Sequence, residues 1–474
     1  MLEQQYINIL IFSYNGKSYI YTPETRFFWK ISDSELCTNK KRFLSLKELE
    51  ECCSEKKYQG IIEQINMLKK RKFIIDEKGE SKKFEKKNFS FDYLVINPSN
   101  ECNLDCWFCY AKNERKKENN KLEIEKSKEI IRYFADFKKK RKSETALGIS
   151  LFYTSDVTLN FEYFREIVLF IEQIKKDYSF PIYYFLPSTN FFSPKQGFVD
   201  FVNEYKFLTV TLDSENEEVR KKVIDNLSKI RKEVVKHLII PIHPMIENLV
   251  SLYSYYSKFF DYVSLRILRI ESTHPQAWDK RKLSTFLKKI ENLIDYLLTL
   301  KEKELLEFLK KIGPTDYILR YLNRLLSREK LFTRCPAGLT AVCVSPNSEI
   351  YPCSSLIGNE KYKLGVWSKK LNMQELDNDV VKSVEKIKEC SSCPIRYICG
   401  GPCVDWKEKQ SITGNVNKIE CEINFRLVEL LIYFIDTVNE RFPLFFNKYE
   451  KEKKVKNKIN YSLDLNQFVD FFSM

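Results

Sequence analysis

Hydrophobic and polar positions fall into regular blocks along this chain. Tyr93-Leu-Val-Ile96 is a short apolar run closed by Pro98-Ser-Asn100, the mark of a strand covered on both faces. Similar runs recur at Ile149–Tyr153, Ile182–Leu186, Phe207–Leu212, Leu238–Ile240 and Tyr262–Ile267. Between them, stretches such as Leu122–Phe137, Glu162–Lys176 and Glu217–Lys236 place apolar residues at helical spacing. This alternation predicts an α/β domain over 90–275, with a parallel sheet and helices outside. Residues 1–85 read differently, as a small winged-helix-like α+β module. Ile7–Phe12 and Ser18–Tyr21 flank Asn15-Gly16, a hairpin signal because both residues tolerate positive φ. Phe27–Ile31 is a third strand, Ser45 and Glu48 form a capping box, and Ile61, Ile65 and Leu68 continue as helix. Phe73-Ile-Ile75 adds a short strand, and 78–92 is a polar linker. Residues 276–332 form a helical bridge broken at Gly313-Pro314, 333–430 are rich in Cys, and 431–474 form a basic, aromatic tail.

A length of 474 residues suits about three domains, and 43% hydrophobic residues suffice for packed cores. No apolar run reaches the ~18 residues of a membrane span, and the first residues lack a signal peptide's pattern. The expected location is therefore cytoplasmic. Fourteen Cys in such a chain point to metal ligands rather than disulfides. The three His, His237, His243 and His274, are too scattered to suggest a His-rich site. The net charge of +14 sits in Lys runs interleaved with Glu, a solvated surface suited to weak attraction for acidic peptide; nucleic acid is not the expected partner.

The chemistry is concentrated in Glu101-Cys-Asn-Leu-Asp-Cys-Trp-Phe-Cys-Tyr110, in the loop after the first strand of the α/β domain. Cys102, Cys106 and Cys109 are spaced C-x3-C-x2-C. Three thiolates can hold three irons of one [4Fe–4S] cluster and leave the fourth iron open to a substrate group. The alternatives are a zinc knuckle or unrelated buried thiols, although zinc sites favour paired C-x2-C or Cys/His sets.

This loop, with Phe108 before its last Cys, resembles the radical S-adenosylmethionine (SAM) superfamily. The resemblance implies a partial (β/α)6 barrel and SAM bound to the open iron. It also implies reductive cleavage of SAM to a deoxyadenosyl radical that abstracts hydrogen from a substrate. The family's Gly-Gly-Glu-Pro turn is replaced here by Thr154-Ser-Asp-Val157, so Asp156 becomes the candidate partner of the SAM amino group. Thr189-Asn190-Phe191 resembles the family's Thr-Asn-Gly turn, and Thr211-Leu-Asp213-Ser214 its Ser-x-Asp-Gly. These matches make Asn190 and Thr211 candidates for contacting SAM. Arg266 is a candidate for its carboxylate, the alternative being a surface ion pair.

From Cys335 onward the pattern resembles the SPASM extension of peptide-modifying radical SAM enzymes, with Ser348 where the family has Gly. Zinc would also accept such all-thiolate sets. By position, the resemblance implies that Cys335, Cys353 and Cys403 ligate a first auxiliary [4Fe–4S] cluster. Cys390, Cys393, Cys399 and Cys421 would ligate a second. Cys343 either completes the first cluster or is a buried thiol.

Residues 1–85 resemble the leader-recognition module of ribosomal-peptide maturation, in which a peptide extends a sheet edge. The implied function is a maturase for a small ribosomally made precursor peptide, fed by an external electron donor and forming a thioether or carbon–carbon crosslink. Two alternatives stand beside it. One is a catalytically degenerate leader-binding partner, suggested by the missing Gly-Gly-Glu-Pro. The other is a sulfatase-maturase-type enzyme that forms formylglycine, although Ser354 stands where those enzymes carry an acid.

Overall fold

The computed structural model describes residues 9–31, 42–43, 46–71, 91–112, 121–246, 248–369, 371, 376, 380–409 and 417–460. Cys37, Ser45 and the expected strand at 73–75 lie outside these residues. Among the described residues, no helix is long and apolar enough to cross a membrane.

The amino-terminal sheet contains β1 (Leu10–Tyr14), β2 (Lys17–Thr22), β3 (Phe27–Ile31) and β4 (Arg42–Phe43), in the order β3-β2-β1-β4. Asn15 and Gly16 take φ values of 45° and 74°, as the hairpin signal requires. Alternation along the strands sends their two sets of side chains in opposite directions. Ile9, Ile11, Ile20 and Ile31 pack on Leu49, Ile61, Ile65 and Leu68 of the helices Leu46–Cys52 and Glu55–Lys70. Leu10, Phe12, Tyr19 and Tyr21 join the main core instead. There the module meets the helix Lys418–Arg441. The Tyr14 and Tyr433 rings lie 4.9 Å apart, and the Tyr19 hydroxyl donates to Asp436 at 2.9 Å. Lys17 pairs with Glu440 at 2.5 Å.

The α/β domain supplies β5 (Tyr93–Ile96), β6 (Leu147–Leu151), β7 (Ile182–Phe185), β8 (Phe207–Thr211), β9 (Val235–Ile242) and β10 (Tyr262–Ile267). Neighbours pair in parallel from β5 to β7 and from β8 to β10. Thr189 stitches the two halves together, because its N–H donates to Thr209 at 3.0 Å and its carbonyl accepts from Thr211 at 2.8 Å. Spatial order therefore follows sequence order. Leu94, Ile96, Leu208, Val210, Leu238, Ile240, Val263 and Leu265 turn into the main core with the helices. The intervening positions, among them Tyr93, Ser150, His237, Ser264 and Arg266, occupy the opposite face.

One expected helix is shorter than its sequence pattern. Glu217–Lys236 is helical only over Glu217–Asn226, with a 3₁₀ turn at Leu227–Lys229, and Val235 already begins β9. Asn226 turns its amide to the carbonyls of Phe191 and Phe192 at 3.1 and 2.9 Å, and the β-branched Val234-Val235 favours strand.

The Cys-rich region is joined to the α/β domain by main-chain pairing. β11 (Ala341–Val344) lies parallel to β5, and β12 (Glu349–Tyr351) and β13 (Gly365–Val366) extend the sheet outward. The helix Lys418–Arg441 runs through the expected boundary at residue 430 and carries Cys421 in its first turns.

Candidate functional site

The loop bearing Cys102, Cys106 and Cys109 leaves the carboxyl end of β5, the edge where chemistry collects in α/β folds. All three cysteines are half-buried. The Cys109 N–H donates to the Cys106 carbonyl at 3.1 Å, which tightens the turn. Trp107 stacks on His274 at 4.8 Å and meets His243 edge-on at 5.5 Å. His243 in turn pairs with Glu215 at 2.8 Å. Two histidines that seem scattered in sequence thus grip the cysteine loop, and no local spacing signals it. Asn190 reaches the cysteine loop, its amide donating to Cys102 Sγ at 3.6 Å and to Asn103 at 2.7 Å.

Residues 99–101 run beside residues 154–156. Thr154 Oγ1 donates to the Ser99 carbonyl at 3.1 Å, and the Asp156 N–H to the Glu101 carbonyl at 3.0 Å. Asp156 differs from its expected role. It is 2% exposed, and its carboxylate is filled by protein donors. Thr158 supplies its N–H at 2.9 Å and hydroxyl at 2.6 Å; Thr189 supplies a hydroxyl at 3.0 Å, and Asn190 its N–H at 2.7 Å. Asp156 caps the turn Val157–Asn160 and ties it to the Thr189-Asn190 turn, which leaves little capacity for an ammonium. The unsatisfied groups are its neighbours. Ser155 Oγ and Asn100 Oδ1 are buried without hydrogen-bond partners, on the two strands of chain that run side by side here. Phe191 keeps the left-handed backbone, φ 52°, of the glycine it replaces. Thr211 shares a hydroxyl hydrogen bond of 2.5 Å with Ser188.

Asn97, fully buried, is a residue the sequence pattern did not single out. Its Oδ1 accepts from the N–H groups of Tyr153 and Thr154 at 2.8 and 3.2 Å. Its Nδ2 donates to Cys343 Sγ at 2.9 Å and Ser354 Oγ at 3.4 Å. One amide thereby links the turn after β6 to the Cys-rich region.

The carboxy-terminal cysteines separate into two neighbourhoods. Burial pushes Cys353 up to about 12, with Cys335 adding to the rise, and burial also raises Cys335, with Cys403 contributing. Burial raises Cys390 and Cys421 as well, each through further repulsion from Cys399 and Cys393. Between them, Arg334 pairs with Glu420, whose other oxygen accepts from the Cys403 N–H at 3.2 Å. Asn424 donates to Cys399 Sγ at 3.3 Å. Cys343 is fully buried on β11 and engaged by Asn97 and by Ser354 at 3.3 Å. Ser348, in place of the family's glycine, holds φ at 64°. No three His, Cys, Asp or Glu among the described residues converge on a single metal ion.

Arg266 is half-buried on β10 and, among the described residues, has neither hydrogen bond nor ion pair. Burial lowers its pKa, and the nearby Arg269 lowers it further. The surface ion pair considered for it is therefore not formed.

Residues 96–239 match the Radical SAM superfamily. An uncharacterized protein of Archaeoglobus fulgidus is 35% identical over 74 residues; the match covers 15% of this chain and 17% of that protein. The crystal structure of Streptococcus suis SuiB bound to S-adenosylmethionine aligns with 16% identity and a TM-score of 0.46, over 87% of this chain and 98% of that one. SuiB bound to precursor peptide SuiA aligns with 15% identity and a TM-score of 0.47, over the same shares. The cysteine loop, the Asp156 turn and the Asn190 turn all fall inside residues 96–239, the span that matches the Radical SAM superfamily.

Proposed function

We propose that this protein is a radical SAM enzyme acting on a ribosomally made peptide, with Cys102, Cys106 and Cys109 as ligands of the SAM-binding cluster. The observation that carries the reading is the C-x3-C-x2-C loop at the carboxyl edge of β5, inside the matched domain. The donor set fits a [4Fe–4S] cluster. Such a cluster, when bound, would supply the electron that cleaves SAM and so starts hydrogen abstraction from the substrate. SAM needs an acceptor for its amino group, and the buried, unpartnered Ser155 Oγ and Asn100 Oδ1 suit that need. Asn190 orients Cys102, and Trp107 with its two histidines holds the loop and screens it from water.

The same reading gives Cys335, Cys353 and Cys403 to one auxiliary cluster and Cys390, Cys393, Cys399 and Cys421 to another. Cys343 acts as a buried structural thiol. The sheet edge at β3 supports peptide recognition by residues 1–85. Its Phe27 and Trp29 are half-buried against the helices, and no strand covers β3's outer side among the described residues. An extended leader could pair there. A thioether or carbon–carbon crosslink is the product this arrangement best suits.

The test is anaerobic reconstitution of the wild type and Cys106→Ala. The wild type should bind about twelve irons and form deoxyadenosine from SAM under dithionite; the variant should lose about four irons and all cleavage. Undiminished deoxyadenosine from the variant would refute the assignment.

A further inference from the structure

The strand alternation that sends Val263 and Leu265 into the core puts Ser264 and Arg266 on the opposite, inner face. Ser264 confirms that face by bonding His237 of the neighbouring strand at 2.8 Å. Arg266 lies two residues further on, at the carboxyl end of β10, and perturbs the hydroxyl of Tyr153, which follows β6. Four strand spacings in a flat sheet would separate them by about 19 Å. The array therefore curls, and the two residues face each other across its interior.

That interior is open. Tyr153 is 39% exposed although Tyr93 bonds its hydroxyl at 3.1 Å and the Tyr110 hydroxyl donates to its carbonyl. Three residues beyond Arg266, Arg269 has a side chain 40% exposed and pairs with Asp405 at 3.2 Å. Lys409 shares that carboxylate at 3.4 Å and lies over the Tyr110 ring at 5.8 Å. Arg269 and Lys409 thus share one carboxylate, Asp405, while Arg266 has no ion pair among the described residues. Asp316, the other acid near Arg266, is taken up by the Tyr253 hydroxyl and by three backbone N–H groups at 2.7–2.9 Å. Cys403 also raises the Arg269 guanidinium.

We infer that Arg266, supported by Arg269 and Lys409, binds a carboxylate presented by the peptide substrate, an Asp or Glu side chain near the residue to be modified. This rests on the function proposed above. A guanidinium fork suits a carboxylate held by two parallel hydrogen bonds, and a half-buried cation with no internal partner is stabilised by an incoming anion. The groups suited to SAM's amino acid portion lie on the turns after β5, β6 and β7, whereas Arg266 projects from β10, two residues before the segment that carries Arg269.

The test uses the reconstituted full-length protein and two probes, N-acetylglutamate N-methylamide and its neutral isostere N-acetylglutamine N-methylamide, titrated calorimetrically with and without saturating SAM. The acid should bind at least ~10-fold tighter than the amide, as expected for hydrogen bonds to a charged group. Arg266→Gln should erase that preference, and Arg269→Gln, at a more exposed position, should reduce it. SAM should leave the preference intact. Displacement of the acid by SAM would assign the guanidinium to the cofactor's own carboxylate and overturn the inference. So would equal binding of acid and amide by the wild type, or a preference that survives both substitutions. Deoxyadenosine formation by the wild type is scored in parallel; its absence would sink the radical reading while leaving the carboxylate result to stand or fall by itself.

Discussion

Asp156→Asn separates two roles for the acid that follows the second barrel strand. In the structure the carboxylate is a knot between two turns, accepting from Thr158, Thr189 and the Asn190 N–H. An amide keeps one acceptor oxygen, which can still serve Thr158. The other position becomes NH2 and faces the Asn190 N–H, which had donated at 2.7 Å. The change thus removes one charge-assisted hydrogen bond and leaves a buried donor unpaired, at a cost of about 2–4 kcal/mol. Since about 1.4 kcal/mol is a factor of ten, amide exchange in the segment around Asn190 should accelerate by roughly 30- to 1000-fold. Hydrogen–deuterium exchange read by mass spectrometry measures this directly. SAM affinity should fall only as far as the displaced Asn190 turn drags it. Unchanged exchange together with abolished SAM binding would mean that the carboxylate points at the cofactor, and the structural reading of Asp156 would be wrong.

Asn97→Leu should cost about 3 kcal/mol or more, because it leaves the N–H groups of Tyr153 and Thr154 without their acceptor in a fully buried place. Thermal melting should show the loss, and an unaltered melting curve would argue against Asn97 as a joint between barrel and Cys-rich region. His237 is held neutral by burial, its pKa lowered from 6.5 to about 3. The unfolded chain takes up a proton below 6.5 and the folded chain does not, so stability should fall as pH drops from 6.5 toward 3, by up to about 1.4 kcal/mol per unit. His237→Gln should flatten that part of the unfolding profile, and an unchanged slope would refute the assignment.

The strands of the barrel were legible because four to six apolar residues closed by turn signals have few other uses, as at Tyr93–Ile96 and Tyr262–Ile267. The C-x3-C-x2-C loop was legible as a segment after β5 because its spacing needs no tertiary information, and it falls inside the span that matches the Radical SAM superfamily. The grip of His243 and His274 on Trp107 was not, since it joins residues from three distant segments and leaves no periodic trace. Asp156 misled for a related reason. Its residue type suits an ammonium, but Thr158 and the turn from β7 reach it first. Phe191 and Ser348 looked like departures from glycine positions, yet both keep positive φ, so the backbone path survives the change of side chain.

The helix Lys418–Arg441 has Cys421 near one end and Tyr433, Asp436 and Glu440 against the amino-terminal sheet near the other. Fifteen residues of helix from Cys421 to Asp436 measure ~22 Å. A rigid rod of that length works as a ruler. On the function proposed above, a peptide seated on the amino-terminal sheet would be held at a set span from Cys421, so a spacer lengthened or shortened by a few residues would bring a different side chain level with that thiol.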